Sequence, residues 1–95
     1  METQKICYAT RSIETEAGHQ YMLTYAITVD EIDIPGSIME CYGIEIHMTG
    51  DNTDNCRAIR AITANADEIE RIADLLCRGI VFPADLEETL ENLLP

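Results

Sequence analysis

Four cysteines (Cys7, Cys41, Cys56, Cys77) and two histidines (His19, His47) are the side chains of this 95-residue chain best suited to metal binding or nucleophilic chemistry. A structural zinc site gathers four ligands and announces itself by close pairs such as Cys-x-x-Cys or His-x-x-x-His. Neither pair occurs. Cys41 and His47 share one β-patterned segment, where six residues span roughly 20 Å at 3.3 Å per residue, too far to hold one ion. His47 and Cys56 flank the Gly50–Asn55 segment and become cross-strand neighbours if its two sides pair, which makes them the one thiol and base that the pattern brings together. The bland alternative is two unrelated side chains near a turn, with His47 facing solvent.

Disulfides are not expected. The opening Met-Glu-Thr-Gln-Lys-Ile-Cys-Tyr has an acid where a signal peptide needs bases and lacks a continuous apolar stretch, so the default is a cytoplasmic chain with reduced, mostly buried thiols. The 18 acidic residues offer many carboxylates, yet none sits in the aromatic and apolar surroundings that would raise its pKa for acid–base work. A Gly-rich phosphate loop, a Gly-x-Ser-x-Gly elbow and a dinucleotide fingerprint are all missing from the sequence. A domain this small also spends most of its mass on one core. The expectation is therefore no catalytic residue, no cofactor and no metal.

Against 18 acids stand 6 bases, giving a net charge of −12. That field repels phosphate backbones and anionic lipid, so direct binding to nucleic acid or to a membrane surface is not expected, and no run approaches the length of a membrane span. Residues 79–95 carry Asp85, Glu87, Glu88 and Glu91 with no Lys or Arg. These four are the candidate partner-binding residues, facing a basic protein; otherwise they form an ordinary solubilising face.

The elements that must position these groups follow from periodicity. Lys5–Ile13 is rich in β-formers and Glu14–Gly18 supplies turn residues. Next, Tyr21, Leu23, Tyr25, Ile27 and Val29 recur every two residues, and Ile38, Tyr42, Ile44, Ile46 and Met48 do so again, which is the signature of half-buried strands. Between them Pro35-Gly36 fits a type II turn. If that turn is tight, facing residues have numbers summing to 71, and the two apolar sets land on one face. A one-residue slip would break this agreement. Type II turns splay a twisted hairpin, so a bulge or longer loop is the competing arrangement.

Gly50–Asn55 reads as a loop and Cys56–Thr63 as a fourth strand; Ile59 and Ile62 cannot share a face of a regular strand, and since Ala58 and Ile62 inward would bury Arg60, the expectation is Ile59 and Ala61 inward with Arg57 at the frayed end, or a bulge. Asn65 with Glu68 has the spacing of an N-cap and its reciprocal partner. Ile69, Ile72, Ala73 and Leu76 make the stripe of the helix that follows, Asp67–Arg71 and Asp74–Arg78 are acid-then-base pairs on its outside, and Gly79 ends it. Pro83 opens a second helix striped by Leu86, Leu90, Leu93 and Leu94. The fold class is α+β over residues 1–95 as one small domain: a four-stranded antiparallel meander followed by two C-terminal helices on one face. The leucine stripe offers more apolar surface than the sheet needs, which points to a symmetric homodimer through this helix with Glu87, Glu88 and Glu91 turned outward.

The block Cys41-Tyr42-Gly43-Ile44-Glu45-Ile46, together with Phe82-Pro83-x-x-Leu86 leading into a Leu/Glu helix, resembles a domain-of-unknown-function family of short Firmicute (clostridial-type) proteins over about residues 20–94. The resemblance implies a cytosolic, non-enzymatic bacterial protein and carries no functional residues. The expected role is a regulatory or adaptor module acting by protein–protein contact. The alternative is an acidic inhibitor that mimics nucleic acid toward a basic nuclease or repressor.

Overall fold

The computed structural model describes residues 3–93. Strands β1 (Thr3–Glu14), β2 (Gln20–Ile34), β3 (Ser37–Gly50) and β4 (Thr53–Thr63) form an antiparallel sheet in the order β1-β2-β3-β4, followed by helix α1 (Ala66–Arg78), a 3-10 turn over Pro83–Asp85 and helix α2 (Leu86–Leu93). The architecture is the α+β meander with two helices that the periodicity predicts. Both helices cover the face carrying Leu23, Tyr25, Ile27, Ile44 and Ile46, and the core is completed by Ile69, Ile72, Leu76, Leu86 and Leu90. Thr24, Glu45 and His47 fall on the opposite face, as the alternating pleat requires.

The β2–β3 register is continuous from Met22↔Thr49 to Ile34↔Ser37. Every pair sums to 71, so the connection is the two-residue Pro35-Gly36 turn and not a longer loop. Gly36 has φ +81°, the value that the third position of a type II turn demands and that a Cβ disfavours. The strands nevertheless run longer than the sequence pattern shows. Gly50–Asn55, expected to be a loop, contracts to a turn at Asp51-Asn52, with φ +49° and +60°. Asn and Asp tolerate the left-handed region, so two residues suffice to reverse the chain and β4 starts at Thr53.

A bulge resolves the ambiguous parity of β4. The register shifts between Tyr42 and Ile44, and Ala61 takes φ +55°. Two extra residues on β4 between these rungs let both Ile59 and Ile62 pack against the core, while Arg60 crosses the other face to bond Asp30, with Nε donating to Oδ2 at 3.1 Å. Gly43 makes the crossing feasible: a Cβ there would lie 2.3 Å from the Ile59 carbonyl oxygen and 2.6 Å from the Arg60 Cα. A second bulge at Tyr8 in β1 sends its hydroxyl toward Asp74 of α1, 3.5 Å away.

At the start of α1 the Asn65 side chain accepts from the Glu68 N–H at 3.0 Å. Glu68 does not close the box itself. Thr63 intervenes, accepting from the Asn65 N–H at 3.1 Å and donating to Glu68 at 3.4 Å. Outside the helix Asp74 pairs with Arg78 at 2.9 Å, the second of the two acid-then-base pairs that the spacing suggests. Gly79 caps the helix end, but the left-handed residue is the next one, Ile80, at φ +51°. Its N–H bonds the Cys77 carbonyl and that of Val81 bonds Leu76, the two bonds of a Schellman motif. Tyr25 then fastens this corner to the sheet by donating to the Val81 carbonyl at 2.9 Å.

In α2, Leu86 and Leu90 are buried in the chain's own core and Leu93 is half-buried. The stripe is thus largely consumed within one chain, and Leu94 lies outside the described residues.

Two measurements check these contacts. Gly43→Ala should lower the unfolding free energy by about 2–3 kcal/mol in urea titrations, because the added methyl must displace backbone rather than a mobile side chain. Burial, reinforced by Cys77 and only partly opposed by Arg11, pushes the Tyr25 phenol up to about 12. The unfolded phenol ionises near pH 10 and the folded one does not, so Tyr25 contributes stability below that range which is lost as pH rises toward 12. Tyr25→Phe should flatten this part of the stability–pH curve while costing about 1 kcal/mol at pH 7 through the Val81 carbonyl left unpaired.

Candidate functional site

The face of the sheet turned away from the helices gathers most of the reactive side chains. Lys5 of β1 reaches across β2 to Glu45 of β3, Nζ to Oε2 2.8 Å. This carboxylate raises the Lys5 pKa through the hydrogen bond and through its charge, against a smaller opposing effect of burial. His47 and Cys56 are direct cross-strand partners, as the sequence suggests. Each has a carboxylate partner of its own, Asp54 for His47 and Glu45 for Cys56. His47 Nε2 lies 2.5 Å from Asp54 Oδ1, and the Cys56 thiol is pushed up by burial, by the charge of Glu45 and by a hydrogen bond to it, with Lys5 opposing. The shift runs opposite to the lowering that activates a nucleophilic thiol.

The four thiols are free. Cys41 and Cys77 are buried, but Cys7 and Cys56 are exposed, so the expectation of mostly buried cysteines holds for half of them. The two exposed thiols sit on the narrow open face, where no helix covers them. Among the described residues no three His, Cys, Asp or Glu side chains converge as metal ligands, and no helix is long and apolar enough to cross a membrane. An open groove of about 480 Å³ at the end of the sheet is lined by Ile13, Tyr21, Met22 and Gly50, with Glu14 as its one carboxylate.

The sequence-predicted acids lie on the C-terminal segment. Asp85 closes the 3-10 turn, and Glu87, Glu88 and Glu91 are exposed on α2 above the buried Leu86 and Leu90. Glu87 is already engaged by Arg57 of β4 at 3.4 Å, a pair exposed on both sides. Glu87 and Glu91 also border a shallow groove between α2 and β4 that contains Arg60. The four acids therefore do not form an unpaired row, since Glu87 is held by Arg57 of the same chain.

A feature that the acid count alone does not show is the far end of the β2–β3 hairpin. β1 begins opposite Asp30 and β4 ends opposite Tyr42. Beyond those rungs, among the described residues, β2 and β3 continue as a two-stranded arm, pairing Glu31↔Glu40, Ile32↔Met39, Asp33↔Ile38 and Ile34↔Ser37. Four rungs make the arm roughly 13 Å long at 3.3 Å per residue. It contributes to an elongated molecule, 55 Å in its longest dimension. Ile38 is 64% exposed, Ile34 43% and Met39 38%. The pleat gives the arm two unlike sides: Ile32, Ile34 and Met39 on one, and Glu31, Asp33 and Glu40 with Ile38 on the other. Residues 12–56 contain no Lys or Arg at all, so the arm's acids have no nearby base in sequence. The signal available in the sequence was the distance between the last covered apolar residue, Val29, and the turn at Pro35-Gly36.

The features together define a small acidic α+β module with one covered sheet face, exposed thiols on the other and a projecting β-arm. The chain belongs to the family of unknown function DUF6514, whose model matches residues 4–95. None of the curated proteins and none of the solved structures matches it.

The thiol chemistry is directly checkable. Iodoacetamide labelling of Cys56, read peptide by peptide, should rise with pH along a curve displaced upward from that of a free thiol. Glu45→Gln should bring the midpoint part of the way back, since burial, the larger cause, stays in place.

Proposed function

We propose that the chain is a non-catalytic regulatory or adaptor module that acts by contact with another protein in the cytoplasm of a Firmicute-type bacterium. The observation that carries this reading is the β-arm of residues 31–40. It leaves large apolar side chains in water, sets Glu31 opposite Glu40 and, among the described residues, has two strands where stable sheets have three or more. None of this helps the fold, and a partner surface would relieve all of it. The upward shift of the Cys56 thiol, opposite to that of an activated nucleophile, supports the non-catalytic half of the reading.

The net charge of −12 favours a second reading, in which the partner is a basic nuclease or repressor and the acids occupy its nucleic-acid site. The two readings differ in what competes for the partner. A partner identified in the native host is purified and recombined with the full chain in a calorimeter, with and without duplex DNA. A stoichiometric complex at micromolar affinity or better, unaffected by DNA, is the expected outcome for an adaptor. Displacement by DNA would assign the mimic. Failure of every candidate to reconstitute a complex would overturn the interaction reading itself.

A further inference from the structure

Where the arm leaves the sheet, β3 has a free edge. Strand β4 pairs with it only as far as Tyr42, because the chain turns away at Thr63 toward the cap of α1. Residues 37–40 therefore have no strand neighbour on that side among the described residues, and all four are exposed. An edge of this kind is a template for another strand. Its side chains set the rest. A strand added there places alternate residues beside Met39, on the apolar side of the arm, and beside Ile38 and Glu40, on the side shared with Glu31 and Asp33.

Resting on the interaction reading above, we infer that the β3 edge at residues 37–40 docks an extended segment of a partner protein in which Lys or Arg alternates with apolar residues. Charge complementarity selects this occupant: Glu31, Asp33 and Glu40 stand together on one side of the arm, within a stretch of sequence free of Lys and Arg. The period of two selects the alternation, with cations over the acidic side and apolar groups over Ile32 and Met39. A second copy of the chain fits less well. Edge-to-edge pairing of two arms would bring two sets of Glu31, Asp33 and Glu40 into one short ribbon with no base to answer them.

The probe is a short fluorescein-labelled peptide of alternating lysine and valine, compared with a peptide of the same composition arranged as a lysine block followed by a valine block. Anisotropy titrations of the full chain should show the alternating peptide bound about tenfold or more tightly than the block peptide, with further weakening as salt is raised. Glu40→Gln combined with Glu31→Gln should weaken the alternating peptide by about tenfold, and amide shifts in NMR spectra should centre on residues 37–41. Circular dichroism confirms that the double variant is folded.

Equal binding of the two peptides, or no binding of either, would overturn the inference. Shifts centred on Glu87, Glu88 and Glu91 would overturn it too, while leaving the interaction reading intact and moving the surface to α2. A dimer in light scattering that dissociates on Ile38→Lys would replace the basic segment by a second copy. The outcome is thus distinct from failure of the calorimetric reconstitution, which bears on whether the chain binds protein at all.

Discussion

The register of one hairpin decides which residues this molecule buries and which it presents. Gly36 adopts a conformation that costs a side chain dearly, and the two-residue turn it allows locks β2 and β3 into pairs that sum to 71. Shifted by one, the same strands would turn Tyr25, Ile27, Ile44 and Ile46 toward water and present Thr24, Glu45 and His47 to the helices. Because pleat parity propagates along both strands without interruption, the turn also fixes which side of the distal arm is acidic and which apolar. The core and the proposed docking edge are two ends of one register.

The other strands join this hairpin by compromise. β1 and β4 each carry a bulge, and each bulge redirects a polar side chain, sending Tyr8 toward α1 and Arg60 across to Asp30. The second requires Gly43, since backbone of β4 occupies the space a side chain would need. Arg60 thereby ties β4 to β2 over the top of β3, on a face that has no helix to hold it together. Ala26, Thr28, Asp30 and Cys41 on that face are buried by flanking side chains instead.

The parts of the fold set by periodic pattern were legible in the sequence. The alternation in Tyr21–Val29 and Ile38–Met48, the Pro-Gly turn and the Asn65 cap each have a local physical cause, and each stands where that cause puts it. What required the structure depends on where one element stops covering another. Ile38 has the parity of a core residue and is the most exposed large apolar side chain among the described residues, because the helices end before the hairpin does. Leu86 and Leu90 look like surplus stripe until Ile59 and the sheet are seen beneath them. The acids of α2 were visible as a cluster, but the Arg57–Glu87 pair depends on α2 lying along β4, which no spacing encodes. Likewise, Cys56 was legible as a neighbour of His47, while its protonation state follows from burial and from Glu45, a residue of the adjacent strand.

The Schellman corner at Ile80 makes the C-terminal segment a cooperative unit. A β-branched residue in the left-handed region costs about 1–2 kcal/mol, and here that cost is offset by contacts of Ile80 and Val81 with the core and by the Tyr25 hydroxyl. These offsets lapse together if the segment lifts. Residues 80–93 then form a unit whose departure releases backbone strain as well as chain entropy, whereas opening the sheet releases neither until long-range pairing is lost. The C-terminal segment can accordingly open as one unit, its amides exchanging with solvent while those of β2 and β3 between β1 and β4 remain protected.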